Sequence, residues 1–202
     1  MAEESSNGRL IALTDGVLSI AMTLLVLDVR LPESVATMDN AGLWRAITGI
    51  WPQIFSYGLS FVVIAALWLT HVQKFRHVQR TSGLLAWLHV LFLLLVGFVP
   101  FTTSVLAESG NAVATAVYAV VMATASLLLG SMSVHARRRG LTDPDPNARS
   151  DLVAVTISQF GTAIVFYLSA ALAFVDADAA KYFWFLLVPL GFVRGRLLRV
   201  AD

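Results

Sequence analysis

Arg9-Leu-Ile-Ala-Leu13-Thr14-Asp15-Gly16-Val-Leu-Ser19-Ile20-Ala-Met22-Thr23-Leu24-Leu-Val-Leu27-Asp28 is the stretch that decides the fold. A bilayer core needs roughly 20 mostly apolar residues per helix. The interval 10–31 supplies that length and carries Asp15 about a turn and a half inside it. An unpartnered carboxylate at such a depth costs at least ~2.5 kcal/mol, so Asp15 calls for a partner or an aqueous cavity. At about 100° per residue, Ile20, Leu24 and Leu27 share one stripe, with Thr23 at its edge. Asp15 lies about 140° from Ile20 by the same rule. The helix therefore has an apolar face with a threonine and another face with Asp15, Ser19 and Met22.

The rest of the chain points to the same solvent. Of 202 residues, 57% are hydrophobic and 13% charged, against about 25% charged in a soluble domain. Mean hydropathy is +0.76. A soluble domain of this size has too little interior to hide so much apolar side chain. The composition excludes a disordered chain and argues against a water-soluble enzyme. A net charge of +1 argues against a nucleic-acid partner. The absence of cysteine excludes disulfides and thiolate metal sites.

Further candidate spans are 44–70, 83–106, 111–134, 152–175 and 179–198, which predicts an all-α, six-span membrane domain over 1–202. The last is the weakest. It is free of charge only over 182–193 and is interrupted by Pro189, so it crosses if Lys181 and Arg194 snorkel and otherwise lies in the interface. With the N-terminus inside, the inner segments hold eleven Lys and Arg and the outer ones only Arg30, Arg45 and Lys181. That bias predicts both termini on the cytoplasmic side.

Candidate partners for Asp15 lie at the same depth: Trp68 and His71 at the end of the second span, and His89 in the third. Their ring N–H groups can donate to a carboxylate. Three readings stay open: a structural network locking three helices, a proton-sensing site built on the histidines, and a zinc site, for which the usual ligand spacing is missing. Asp28 and Arg30 read as an interfacial charge pair, or as charge at a pore mouth. Ala112, Ala116, Ala119, Ala123, Ser126 and Gly130 suit close helix packing. No phosphate-binding loop, H-E-x-x-H pair, serine elbow or Thr-Val-Gly-Tyr-Gly filter is present, so the chain is not expected to be an enzyme.

Arg9-Leu-Ile-Ala-Leu13-Thr14-Asp15, followed by the run Ser19 to Leu27, resembles the Arg-x-x-x-Phe-Ser-Asp signature of the lysosomal potassium channel family, the transmembrane protein 175 type. Trp68-x-x-His71, His89 and Pro100-Phe101-Thr102-Thr103 extend the resemblance over the first three spans. Spans four to six agree in number and polarity. Leu13 and Thr14 stand where the family has Phe and Ser, and His89 stands where it often has Asn. The resemblance implies a prokaryotic inner-membrane homotetramer with a central pore lined by the first helix. Carried over by position, Ile20, Leu24 and Leu27 form the constriction and Thr23 contributes to selectivity. Arg9, Thr14, Asp15, Trp68, His71 and His89 form the network that holds the pore helix. The permeant ion is then K+, with no cofactor, and the partners are further copies of the chain, monovalent cations and the bilayer. Composition alone is equally compatible with a secondary transporter or small-solute carrier, or with a scaffold.

Overall fold

A computed structural model describes residues 2–187. Its helices are α1 (Ala2–Leu24), α2 (Asn40–Gly49), α3 (Trp51–Phe75), α4 (Gly83–Ser109), α5 (Ala112–Arg138), α6 (Pro146–Leu172) and α7 (Ala177–Phe183). Short 3₁₀ turns follow α1 at Leu25–Asp28, precede α2 at Glu33–Thr37 and follow α7 at Trp184–Leu186. Among the described residues, five helical stretches are long and apolar enough to cross a membrane: Gly8–Asp28, Trp51–Phe75, Gly83–Ser109, Ala112–Arg138 and Pro146–Leu172. α7 opens the sixth candidate span, and 188–198, with Pro189 and Arg194, lies outside the described residues.

The ends of the helices follow from local chemistry. Ser82, Asn111 and Asp145 each accept a backbone N–H at the start of α4, α5 and α6. Such caps satisfy one of the orphan donors that every helix start leaves open. Pro146 opens α6, where its missing N–H costs nothing, so the helix begins ahead of the expected start of the fifth span at 152. Gly110, at φ +57°, ends α4 in the left-handed region.

Several intervals differ from the expected ones. The second candidate span is divided at Ile50, because Pro52 cannot donate to the Thr48 carbonyl and its ring crowds that oxygen. α3 then runs to Phe75, past the expected end at 70, so Lys74 belongs to the span as well as His71. α4 passes through Pro100 and continues to Ser109.

α5 is the centre of the bundle, packed against α4 and α6. Ala116, Ala119, Ala123, Ser126 and Gly130 are buried there, and small side chains let helices approach closely. The Phe160 ring lies over Gly130, with its Cζ 3.3 Å from where a β-carbon would sit. Tyr118, Met122 and Leu129 fill the core with Phe92 and Val96 of α4 and Phe166 of α6. α1 packs on α3 and α4.

Candidate pore helix and its anchor

α1 meets its own subunit through Thr14, Leu18, Ala21 and Leu25, all buried. Their spacing of four, three and four is that of a single helical face. The opposite side is left uncovered: Ile20 is 59% exposed, Leu24 43% and Leu27 57%. Beyond Leu24 the helix tightens to 3₁₀. Residues three apart eclipse in that geometry, which keeps Leu27 in line with Leu24. Thr23 is exposed beside them, and its Oγ1 donates to the Ile20 carbonyl at 2.8 Å.

Asp15 sits on the flank between the two faces. The Trp68 indole Nε1–H of α3 donates to its Oδ1 at 2.8 Å, within the range of charge-assisted hydrogen bonds. Of the partners foreseen from sequence, Trp68 is the one the structure brings to the carboxylate. The Thr14 hydroxyl is buried and donates to the Leu10 carbonyl of its own helix at 2.8 Å. Arg9 is exposed.

The histidines pair with each other instead of with Asp15. His71 Nε2 and His89 Nε2 are 3.0 Å apart, and both rings are buried. His89 Nδ1 lies 3.2 Å from the Leu85 carbonyl. A carbonyl only accepts, so Nδ1 carries the hydrogen and the neutral ring accepts at Nε2. His71 then donates from Nε2 and keeps a bare Nδ1, which has no hydrogen-bond partner among the described residues. Phe75 packs against both rings, with centroids 4.4 Å from each. Neither histidine, both candidate partners of Asp15, bonds to it among the described residues. The apolar wall that Phe75 adds, together with the preference of each imidazole for the other, accounts for the difference. No group of three or more metal-ligating side chains occurs among the described residues. Asp28 and Arg30 do not form the expected pair either: the Arg30 guanidinium donates to the Leu27 carbonyl at 2.8 Å, and its backbone N–H to Gln53 Oε1 at 3.1 Å.

Three polar links were not foreseen. Thr103 of α4 donates to Ser60 of α3 at 2.8 Å, and Ser60 donates to the Tyr118 hydroxyl of α5 at 3.1 Å. Gln159 Nε2 of α6 donates to Thr70 Oγ1 of α3 at 3.2 Å. The ammonium of Lys74, 1% exposed, donates to the Leu129 carbonyl of α5 at 2.9 Å. A signal existed for Lys74. Ser56, Ser60, Ile64, Leu67, His71 and Lys74 recur at helical spacing, so the buried face of α3 carries through to its last turn.

The arrangement is a bundle with one helix pinned by an indole–carboxylate bond and a stripe of large aliphatic side chains left uncovered. The family model for the endosomal/lysosomal potassium channel TMEM175 matches residues 9–100. A potassium channel of Streptomyces collinus is 35% identical over 203 residues, covering 92% of this chain and 95% of that protein. A potassium channel of Chamaesiphon minutus is 32% identical over 179 residues, covering 86% of this chain and 87% of that protein. The crystal structure of a lysosomal potassium-selective channel TMEM175 homolog from Chamaesiphon minutus has a TM-score of 0.81 and 28% identity, covering 95% of this chain and 99% of that one. Fold and site thus define the class, a multi-pass all-helical membrane protein built like a cation channel. The chain belongs to the TMEM175 potassium channel family.

Proposed function

We propose that four copies of this chain form a potassium-conducting cation channel of a prokaryotic inner membrane, with α1 of each copy lining a central pore. The observation that carries this reading is the uncovered stripe of Ile20, Leu24 and Leu27 on a helix whose other side is fixed to its own subunit. Four copies of each side chain make apolar rings, and such constrictions gate by dewetting. Thr23, exposed at the edge of the stripe, supplies the polar contribution to selectivity. The Asp15–Trp68 bond holds α1 in register on α3. The channel names of the relatives support the choice of K+ as permeant ion. The reading needs no cofactor. A sixth crossing over 179–198 gives an even number of spans and puts both termini on the cytoplasmic side, in line with the Lys and Arg bias.

The test is ionic current from the purified full chain in planar bilayers, with K+ on one side and Na+ on the other. Unitary currents with a reversal potential displaced toward that of K+ are expected. Saturable, stoichiometrically coupled flux would make the protein a carrier, and the absence of any flux would make it a scaffold.

A further inference from the structure

The segment after α3 and the segment after α5 meet at one end of the bundle and are tied together. Val78 and Thr142 form an isolated antiparallel bridge. The Gln79 N–H donates to the Leu141 carbonyl at 2.9 Å, and the Asp143 N–H to the His77 carbonyl at 2.9 Å. The Arg80 guanidinium donates to the Gly140 carbonyl at 3.2 Å. Gly140, at φ +62°, makes the turn that brings 141–143 back against the end of α3.

These bonds frame a basin of about 870 Å³. Val134 lies among its lining, and Arg80, Arg137, Arg138 and Arg149 face it together with a single carboxylate, Asp143. Oδ1 of Asp143 is engaged by the Asp145 N–H at 3.1 Å. None of the four arginines forms an ion pair among the described residues. Four guanidinium groups around one concavity create a strong positive potential that an anion relieves. Depth narrows the choice. Val134 lies 22 residues beyond Ala112 in α5, about 33 Å along the axis at ~1.5 Å per residue. A hydrocarbon core is about 30 Å thick, so the basin opens at the level of the lipid headgroups.

We infer that this basin binds a phosphate-bearing anion with at least two negative charges, held by bidentate guanidinium contacts. Arginine forks match phosphate oxygens in pairs, and four cations against one carboxylate favour a doubly charged ligand over a single phosphodiester. The same chemistry is offered by a lipid headgroup with two phosphates and by a soluble diphosphate. Basic pockets between transmembrane helices at headgroup level suit the first. The inference does not depend on whether the chain conducts.

The experiment measures retention of cardiolipin against phosphatidylcholine by the full chain in neutral detergent, using native mass spectrometry and thermal shift. The double variant Arg137→Gln/Arg149→Gln is compared with Arg76→Gln/Arg139→Gln, which removes the same charge outside the basin. Wild type is expected to prefer cardiolipin. The basin variant should lose about tenfold in apparent affinity and the control variant less than about twofold. Inorganic pyrophosphate is then added. Displacement of cardiolipin, or binding of pyrophosphate alone, supports the inference with a soluble anion as ligand. Retention of cardiolipin supports it with the headgroup as ligand. Equal losses in the two double variants would show attraction to net charge only and overturn it. Binding of neither cardiolipin nor pyrophosphate to wild type would do the same.

Discussion

α1 and α5 are both apolar helices, and the bundle treats them in opposite ways. In their most apolar stretches 22% of α1 residues are buried and 61% of α5 residues, so α5 is enclosed by its own subunit while α1 is mostly left open. The composition of their faces is inverted too. α5 spends small residues, Ala116, Ala119, Ala123, Ser126 and Gly130, on close contact within the subunit. α1 leaves large aliphatic residues, Ile20, Leu24 and Leu27, uncovered. In a bilayer, burial of apolar area gives little drive for helix association, and packing and polar links decide it. A helix of small residues in the middle therefore stabilises the fold, and a helix with bulky residues facing out suits the subunit contacts proposed above.

If that contrast holds, the largest loss of stability comes from hollowing α5. Met122 is fully buried against the core. Met122→Ala should cost about 2–5 kcal/mol, the usual range for such a cavity. A thermal melt of the purified protein would show it, and a melting temperature equal to wild type would mean that α5 is not the hub.

A smaller loss is expected from the bond that fixes α1. Trp68→Phe keeps the ring and removes the N–H that Asp15 accepts. A hydrogen bond to a charged group contributes about 1.5–3 kcal/mol, and with Asp15 half-buried and Trp68 exposed the loss should fall at the low end. Asp15→Asn keeps an acceptor for the indole and should lose less than Trp68→Phe in the same melt. The reverse order would show that the charge of Asp15, and not its hydrogen bond, does the holding.

A third change probes the close contact on α5. Gly130→Ala places a methyl group 3.3 Å from Cζ of the Phe160 ring, which must give by a few tenths of an ångström. The expected loss is about 1 kcal/mol, at the low end for overpacking. Gly130→Ala combined with Phe160→Leu should recover part of it. No recovery would place the strain elsewhere.

Much of this contrast is legible in the sequence. The stripe of Ile20, Leu24 and Leu27 follows from helical periodicity, and small residues at helical spacing mark α5 for packing. Asp15 announces a partner because a lone carboxylate is costly in lipid, and Trp68 answers at 2.8 Å. Pairing among the remaining candidates is not legible. Nothing in one-dimensional spacing says that His71 and His89 face each other at 3.0 Å while Asp15 takes the Trp68 indole. That choice depends on the rotation of α4 about its axis, which is set by packing of Phe92 and Val96 in the core. The three-helix link of Ser60, Thr103 and Tyr118 is hidden for the same reason, since hydroxyl side chains are compatible with any face. Lys74 misleads because charge normally marks the end of a span, whereas here a backbone carbonyl of α5 takes its ammonium.

The last prediction separates stability from conduction at the uncovered stripe. Ile20 is 59% exposed on the isolated subunit, so Ile20→Asn removes almost no packing within it. Substitutions at such positions usually change stability by within about 0.5 kcal/mol, which makes this the smallest effect in the melt. Current should respond in the opposite way. In the proposed tetramer an amide at this position carries hydrogen-bonding groups that hold water where isoleucine would exclude it, and a wetted constriction passes ions more readily. Basal conductance of Ile20→Asn in planar bilayers should therefore exceed that of wild type, with assembly checked by size-exclusion chromatography. Thr23→Val at the neighbouring position keeps shape and removes the hydroxyl, so it should alter the reversal potential between K+ and Na+ more than the conductance. If Ile20→Asn assembles normally and conducts as wild type does, the uncovered stripe of α1 faces lipid and the pore is lined by another helix.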